Sequence, residues 1–348
     1  MKRILIVCGK VILVISLVYI LMVMVIYRDL LSTVLSTIQI SEAPAYRAVI
    51  YGDFGLEEYY KTGSASYEEL QDYCFEALGL AFFNQNQADN FEHGCSGFFA
   101  RTPEGDYILC QNYDTYPDQQ LPVVIETHAP SSDKKVLGLA NCGYFVREKG
   151  FHSLVDRISV AASPYLCMDG MNEHGLAIMI ATASGSSGYK EQDNRVVMVD
   201  QTIPTALLNK AENVEEAIAW LSGITINESS HPSHFLLGDA YGNSVVVEWI
   251  DGEMQVIRTD KDYQIFSNFV LYDNEELIGN GSNRYREYEK VLEENGGVIT
   301  EEEALELLKD NTLGNHACFS VVYNLTDKTM KVTFHNDYEN VYEFAIIK

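Results

Sequence analysis

The chain has 348 residues, with 50 acidic and 24 basic side chains and a formal net charge of −26 at pH 7. This acidic excess argues against a nucleic-acid partner, because phosphate binding needs clustered Lys and Arg side chains. The seven cysteines form no C-x-x-C pair and the eight histidines show no H-E-x-x-H spacing, so we expect neither a metal nor another cofactor.

The first element along the chain is an apolar segment. Val11–Tyr27 carries no charge, and Lys2, Arg3 and Lys10 precede it. A membrane-spanning helix needs about 17–25 apolar residues, and positive charges before it favour a cytoplasmic N-terminus. The sequence therefore predicts that residues 1–30 anchor the chain in the cell membrane as a single-pass protein, with the body outside. The alternative is a cleaved signal peptide, which would leave the body secreted.

Residues 31–94 are predicted to form a propeptide with one amphipathic helix. Ser66 and Glu69 have the spacing of a capping box, and apolar side chains at helical spacing then predict a helix over Tyr67–Phe83. Residues 84–90 are polar and show no periodicity. We expect this stretch to be an exposed loop, where chains tolerate cutting.

The chain becomes rich in strand patterns from Cys95 onward. Two strand candidates flank Thr102-Pro103-Glu104-Gly105, a sequence that suits a type I turn in a hairpin. If Arg101 pairs with Asp106, the register places Cys95 opposite Asn112, unless a bulge shifts it by one residue. Either register brings the segment that ends at Asp114 beside the Cys95 backbone.

Further strands and helices follow in alternation. The strand candidates are Gly175–Thr182, Phe235–Gly238, Ser244–Ile250, Met254–Thr259, Phe319–Asn324, Met330–His335 and Tyr342–Ile347. Helices are predicted to begin after Asn213, at Ser282 and after Thr300. Many strands with a few helices fit two sheets covered by helices, which is an α+β fold.

Cys95 and Asp114 together suggest nucleophilic chemistry. A cysteine attacks as its thiolate, and the α-amino group of an N-terminal cysteine has a pKa near 7.7–8.0, suited to accept the thiol proton. If the Gly94–Cys95 bond were cut, Cys95 would supply both nucleophile and base, and Asp114 could hold the amine. The competing interpretation is that Cys95 is a buried core residue and Asp114 caps a turn.

Five segments, in order, resemble the choloylglycine hydrolase and penicillin acyltransferase superfamily of N-terminal-nucleophile (Ntn) hydrolases. They are Gly94-Cys95-Ser96, Gln111-Asn112-Tyr113-Asp114, Asp169–Ala177, Tyr263–Phe269 and Ser282-Asn283-Arg284. The resemblance implies a four-layer αββα Ntn-hydrolase sandwich over residues 95–348, preceded by the membrane helix and the helical propeptide. It also implies catalysis on linear, non-peptide amides without a cofactor.

The resemblance assigns roles residue by residue. Cys95 would be the nucleophile, and Asp114 would orient its freed amine. Asn268 would donate to the oxyanion together with a backbone N–H near Thr182, and such donors contribute about 10²–10³ in rate. Arg284 would organise Asp114 or Cys95 electrostatically.

Asn112 is a secondary candidate for holding the substrate amide. Bile-salt hydrolases typically have arginine where this chain has Gln111, whereas the penicillin acyltransferase branch resembles this chain in having glutamine. Thr182 stands where bile-salt hydrolases have an asparagine. Both differences argue against bile salts as substrates.

The sequence thus predicts a precursor that cuts itself between Gly94 and Cys95 through an N-to-S acyl shift. The mature enzyme would form a thioester from a small-molecule N-acyl amide and pass the acyl group to water or another acceptor. The alternatives are a membrane-anchored binding protein with an inactive Ntn fold, a bile-salt-hydrolase-like enzyme, and a papain-like peptidase that pairs Cys95 with His234 or His316.

Overall fold

A computed structural model describes residues 2–78, 94–128, 134–144, 146, 150–184, 195–227 and 232–346. Within these ranges the α-helices are α1 (Lys2–Ile26), α2 (Arg28–Ser36), α3 (Leu56–Thr62), α4 (Tyr67–Ala77), α5 (Leu154–Ser159), α6 (Ile203–Lys210), α7 (Val214–Leu221), α8 (Ser282–Glu294) and α9 (Glu301–Asp310). The strands are β1 (Ile38–Gln39), β2 (Tyr46–Ile50), β3 (Ser96–Arg101), β4 (Tyr107–Asp114), β5 (Pro122–Thr127), β6 (Val136–Asn141), β7 (Cys167–Asn172), β8 (Ala177–Thr182), β9 (Val196–Val199), β10 (Ile224–Asn227), β11 (Ser233–Gly238), β12 (Ser244–Ile250), β13 (Glu253–Ile257), β14 (Gln264–Phe266), β15 (Ala317–Asn324), β16 (Thr329–Phe334) and β17 (Tyr342–Ala345).

Two large sheets contain most of these strands. The first has the order β1-β2-β5-β6-β7-β8-β11-β12-β13, and the second has the order β14-β3-β4-β15-β16-β17. The sheets face each other, because β3 contacts β11, β4 contacts β8 and β14 contacts β12. Strands β9 and β10 form a separate parallel pair.

Helices cover the outer faces of both sheets. Helix α6 lies on β7 and β8 of the first sheet, while α8 and α9 lie on β3, β4, β14 and β15 of the second. The resulting order is helix, sheet, sheet, helix, which agrees with the layers expected for residues 95–348. Buried apolar side chains fill the space between layers, as expected for a fold in which each sheet buries both faces.

The predicted helix starts agree with the structure. The side chains of Ser66, Asn213 and Thr300 each accept the backbone N–H of the residue three positions later, which caps α4, α7 and α9. Helix α4 ends at Ala77. The remainder of the predicted Tyr67–Phe83 helix, and the loop predicted over 84–90, lie outside the described residues.

The segment before Cys95 contains more structure than the single helix that the sequence predicted. Helices α2, α3 and α4 and strands β1 and β2 all lie within it. Strand β2 pairs in parallel with β5, from Tyr46 opposite Val123 to Ile50 opposite Thr127. Pairing with a strand of the later part of the chain, and not helix amphipathicity alone, therefore contributes to how this segment folds.

Side chains add to the strand pairing. The Arg47 Nε atom donates to Glu126 at 2.7 Å, across β2 and β5. The Tyr59 ring, fully buried, packs edge-on against Tyr165 with ring centroids 5.5 Å apart, and Tyr73 packs against both rings. The segment before Cys95 is thus part of the core of the protein.

The predicted membrane anchor is not confirmed as a single spanning helix. Among the described residues, no helix on its own is both long and apolar enough to cross a bilayer. Lys10–Ile26 and Arg28–Ser36 meet the length and composition only as a pair, with a bend of 69° between them. Most apolar side chains from Val11 to Tyr27 are exposed.

We predict that Ala48→Asp strongly destabilises the protein. Ala48 is fully buried at the centre of β2, and an unpaired carboxylate there costs about 3–5 kcal/mol. Urea unfolding of the purified chain measures the change. Ala43→Asp, an exposed site in the β1–β2 connection, is the matched control and should change stability by no more than about 0.5 kcal/mol. Equal effects of the two substitutions would show that β2 adds nothing to the fold.

Candidate active site

Cys95 immediately precedes β3, the first strand of the β3–β4 hairpin in the second sheet. Arg101 pairs with Tyr107 and Ser96 pairs with Asn112. The pairing of Arg101 with Asp106, and of Cys95 with Asn112, is therefore wrong by one residue, and the alternative register with a one-residue shift is the one observed. This register places Gly94 opposite Asp114, where the first register would have placed His93.

The turn explains the shift. The Gly105 N–H donates to the Thr102 carbonyl at 3.0 Å, which closes a turn at the predicted position, and Gly105 then adopts φ +99°. A left-handed residue after a turn of this kind makes a three-residue loop with a bulge, one residue shorter than the four-residue connection that pairing of Arg101 with Asp106 implies. The Thr102 N–H consequently bonds the Asp106 carbonyl at 2.7 Å.

Gly94 extends the ladder by one hydrogen bond. Its N–H donates to the Asp114 carbonyl at 3.0 Å. A Cβ atom at this position would lie 2.6 Å and 3.2 Å from two side-chain atoms of Leu313, closer than real Cβ contacts allow at the first of them. The absence of a side chain at residue 94 therefore lets Leu313 close over the Gly94–Cys95 peptide.

A buried guanidinium joins three of the predicted site residues. Arg284 Nη1 donates to the Gly94 carbonyl at 2.5 Å and lies 3.4 Å from Asp114 Oδ2, while Nη2 donates to Asn268 Oδ1 at 2.6 Å. Arg284 lies in the first turn of α8, after Gly281 at φ +78°. The carbonyl of the expected scissile bond is thus held by a cation.

Asp114 is buried beside this cation. Its Oδ2 atom accepts the Leu313 N–H at 3.0 Å, and its Oδ1 atom has no hydrogen-bond partner among the described residues. Burial raises the pKa of Asp114 to about 7, although Arg284 and the Leu313 N–H act in the opposite direction. A carboxyl group with this pKa can exchange a proton near neutral pH.

The Cys95 thiol is fully buried. Burial raises its pKa well above the usual value, and the Asp114 carboxylate raises it further, whereas Arg284 lowers it. In the uncut chain the thiol therefore holds its proton near neutral pH. Attack by this sulfur requires that a base remove the proton as the new bond forms.

Asn268 follows β14 and is oriented from both ends of its amide. Its oxygen accepts from Arg284, and its Nδ2 atom donates to the Thr182 carbonyl at 3.0 Å and to the Thr182 hydroxyl at 2.9 Å. Asn268 and Thr182 are thus in direct contact, through the Asn268 N–H groups that were expected to donate to an oxyanion. The Gly94 carbonyl oxygen, however, receives its charged donor from Arg284.

Asn112 and Gln111 point away from each other. Asn112 Nδ2 donates to the Leu308 carbonyl at 2.7 Å, and Asn112 Oδ1 accepts from Ser320 at 2.6 Å. Gln111 Nε2 donates to the Ile180 carbonyl at 2.8 Å, which links the two sheets. These protein partners give Asn112 a contact with α9, and no contact between Asn112 and Gly94 is formed.

Two tyrosine contacts were missed from the sequence. The Tyr288 hydroxyl lies 3.0 Å from Ser96 Oγ, and Tyr288 follows Arg284 by one helical turn, a spacing that could have revealed it. The Tyr323 hydroxyl donates to the buried Asp169 carboxylate at 2.6 Å. The Asp169–Tyr323 contact joins β7 to β15 across the two sheets, and no local spacing signals it.

His234, one of the two histidines proposed for a papain-like pair, is fully buried in β11. Its Nδ1 atom lies 2.9 Å from Glu248 and its Nε2 atom lies 2.6 Å from the Ser267 carbonyl. Both ring nitrogens therefore have hydrogen-bond partners other than Cys95. Among the described residues, no group of three or more His, Cys, Asp and Glu side chains could hold a metal ion.

Comparison with known proteins gives one family and one fold. A sequence model of the acyl-coenzyme A:6-aminopenicillanic acid acyl-transferase family matches residues 100–338. An uncharacterized protein of Paramecium bursaria Chlorella virus 1 is 32% identical over 110 residues, which cover 29% of this chain and 39% of that protein. The chain thus matches well under two thirds of the length of this relative.

Two solved structures share the fold. A mutant of conjugated bile acid hydrolase from Clostridium perfringens superposes with a TM-score of 0.50 and 15% identity, over 72% of this chain and 92% of that one. Penicillin V acylase from Agrobacterium tumefaciens gives a TM-score of 0.52 and 17% identity, over 72% and 86%.

We predict that stability falls as the pH rises through the Asp114 titration. The folded chain keeps the Asp114 proton up to about pH 7, whereas an unfolded Asp loses it near pH 3.9. The stabilising contribution is therefore complete below about pH 4 and is lost by about pH 7. Between these limits the parent should lose about 1.4 kcal/mol per pH unit relative to Asp114→Asn.

Urea unfolding from pH 4.5 to 8 measures this difference. A Cys95→Ala background keeps the chain uncut throughout. Asp118→Asn, at an exposed site, is the control and should follow the parent at every pH. Parallel curves for the parent and Asp114→Asn would contradict a raised pKa at Asp114.

Proposed function

The chain belongs to the acyl-coenzyme A:6-aminopenicillanic acid acyl-transferase family, and on that premise we propose that it is a self-cleaving Ntn amidase or acyltransferase with Cys95 as its nucleophile. The observation that carries the proposal is the 2.5 Å contact between Arg284 and the Gly94 carbonyl oxygen. A cation held against one backbone carbonyl, beside a cysteine, stabilises the negative charge that nucleophilic attack creates there.

The proposed self-cleavage uses the Cys95 thiol, the Asp114 carboxyl group and the Arg284 guanidinium. Cys95 Sγ attacks the Gly94 carbonyl carbon while Asp114 Oδ1, which has no partner among the described residues, accepts the thiol proton. Arg284 stabilises the oxyanion. As the C–N bond breaks, Asp114 returns the proton to the departing Cys95 nitrogen, which leaves a thioester. Water then hydrolyses the thioester into a Gly94 carboxylate and a free Cys95 thiol.

The freed amine changes which group acts as base. An α-amino group has a pKa near 7.7–8.0, so it can take the thiol proton directly. Asp114 orients this amine. Cys95 then attacks the carbonyl carbon of a substrate amide. The amine part of the substrate leaves with the proton that came from the thiol, and the acyl group stays on the Cys95 sulfur. Water or another acceptor takes the acyl group and restores the thiol.

Arg284 and Asn268 stabilise the oxyanions of two different reactions, self-cleavage and substrate turnover. Arg284 supports the oxyanion of self-cleavage, where it already contacts the reacting carbonyl. Asn268, together with a backbone N–H near Thr182, supports the oxyanion of the substrate reaction. The Thr182 hydroxyl can rotate, so Asn268 Nδ2 can exchange its hydrogen bond with this hydroxyl for one with the substrate oxygen.

The proposed substrate class is a linear, non-peptide N-acyl amide. Gln111 is uncharged and bonds the Ile180 carbonyl, so it adds no positive charge to the site for an anionic substrate. This supports the penicillin-acyltransferase-like branch over bile salts. A panel of N-acyl amino acids, N-acylethanolamines, penicillins and conjugated bile salts, read by product release, identifies the substrate; a preference for bile salts would overturn this choice.

We also propose that the enzyme is tethered outside the cell membrane. A helix with apolar side chains on every face is stable when lipid covers it, and most side chains from Val11 to Tyr27 are exposed in α1. Because β2 pairs with β5, the cut leader would stay bound to the catalytic part. A cleaved signal peptide remains the alternative, and its removal would release the enzyme.

We predict that Cys95→Ala abolishes both self-cleavage and turnover, because it removes the attacking sulfur. Mass spectrometry of the purified protein should find a fragment that begins at Cys95 in the parent and an uncut chain in the variant. Cys110 on β4 is also a fully buried cysteine, and the Cys110→Ala control should still be cut. An uncut parent without activity would favour a binding protein with an inactive Ntn fold.

We predict that Arg284→Lys and Asn268→Asp separate the two reactions. Arg284→Lys keeps the charge but loses the paired N–H contacts, so self-cleavage should slow by about 10²-fold. Asn268→Asp keeps the oxygen that accepts from Arg284 but loses the N–H donors, so the chain should still be cut while kcat falls by about 10²–10³-fold.

Fragment appearance on gels measures the first reaction, and product release from the best panel substrate measures the second. Arg286→Lys, on the same helix with an exposed side chain, is the matched control. If both variants impaired both reactions equally, the proposed division between Arg284 and Asn268 would be wrong.

A further inference from the structure

A buried histidine and glutamate lie side by side on two strands of the first sheet. The pairing of Phe235 with Val247 places His234 directly opposite Glu248. Both side chains are fully buried, and His234 Nδ1 lies 2.9 Å from Glu248 Oε1. A charged group this far from water persists only when its charge and its hydrogen-bonding atoms are paired.

Both oxygens of Glu248 accept backbone N–H groups. The Leu271 N–H donates to Oε1 at 2.9 Å and to Oε2 at 3.0 Å, and the Tyr272 N–H donates to Oε2 at 3.0 Å. The carboxylate therefore ties β12 to the segment that follows Asn268.

Both ring nitrogens of His234 are hydrogen-bonded. Nε2 donates to the Ser267 carbonyl oxygen at 2.6 Å, because a carbonyl oxygen can only accept a hydrogen bond. Nδ1 lies 2.9 Å from Glu248 Oε1, and one hydrogen joins these two atoms. We call this hydrogen-bonded pair the His234–Glu248 clamp.

The clamp holds the chain on both sides of Asn268. His234 binds Ser267, one residue before Asn268, and Glu248 binds Leu271 and Tyr272, three and four residues after it. Three backbone positions around one side chain are thus fixed by hydrogen bonds to two fully buried side chains.

The same segment also contacts the helix that carries Arg284. The Ser267 hydroxyl donates to the Gly281 carbonyl at 3.1 Å, and Gly281 immediately precedes α8. A Cβ atom at Gly281 would lie 2.6 Å from Arg284 Nη2. Displacement of Ser267 would therefore disturb Arg284 as well as Asn268.

We propose that the His234–Glu248 clamp is a positioning device for Asn268 in the substrate reaction. This inference rests on the proposed function, because it assumes that Asn268 supports the substrate oxyanion. His234 touches neither Gly94 nor Asp114 through any hydrogen bond of the described residues. It acts through the backbone of Ser267, which sets where the Asn268 amide lies.

We predict that His234→Gln lowers kcat by about 10²-fold with little change in KM, because a shift of about 1 Å in a catalytic group costs that much in rate. Glutamine can still donate to Ser267 but leaves Glu248 Oε1 without its hydrogen bond to the ring. His335→Gln is the matched control, since the His335 ring nitrogens bond uncharged groups of Gln120 and Pro44. It should retain the parental kcat.

A double variant tests whether His234 acts through Asn268. In an Asn268→Ala background the position of residue 268 no longer matters, so His234→Gln should cost less than about threefold in kcat. An undiminished 10²-fold loss in that background would overturn the clamp. It would instead indicate a direct catalytic role for His234, as in a papain-like pair.

Hydrogen exchange gives a readout that needs no turnover. The backbone amides of Leu271 and Tyr272 should exchange slowly in the parent and at least about tenfold faster in His234→Gln and in the isosteric Glu248→Gln variant. Unchanged exchange in both folded variants would overturn the clamp even if Cys95 proved inactive. Slow parental exchange without any cleavage or turnover would instead refute the proposed function alone.

Discussion

The site depends on a guanidinium that is buried away from water. Arg284 cannot lose its proton inside a protein, so the fold must supply acceptors for its N–H groups. It does so from three separate parts of the chain, namely the Gly94 carbonyl, the Asp114 carboxylate and the Asn268 amide oxygen. Because all three acceptors contact the same guanidinium, the start of β3, the end of β4 and the segment after β14 lie close together.

The balance of charge around this cation sets the chemistry. Asp114 is the carboxylate nearest to Arg284, yet burial keeps its pKa near 7 rather than near 4. Part of the guanidinium charge is thus left to act on the Gly94 carbonyl. Gln111 is uncharged and bonds the Ile180 carbonyl, so it brings no second cation.

The segment before Cys95 is part of the folded core. Strand β2 extends the first sheet beyond β5, and Tyr59 and Tyr73 pack with Tyr165 from the part of the chain after Cys95. A cut at Gly94–Cys95 would therefore divide the chain without dividing the core. After such a cut the β2–β5 pairing and the tyrosine contacts would still join the two parts.

Local patterns in the sequence were sufficient for several elements and for the identity of the candidate residues. Capping residues such as Ser66 and Thr300 predicted helix starts, because a cap satisfies N–H groups within its own first turn. Ordered motifs pointed to Cys95, Asp114, Asn268 and Arg284, and the family match supports the same superfamily. The tertiary structure decided what depends on distant partners: β2 in the first sheet, the one-residue shift of the hairpin, the contact of Arg284 with Gly94, and the His234–Glu248 clamp. These features bring together residues up to 190 positions apart, and their energies come from burial and pairing that no local window contains.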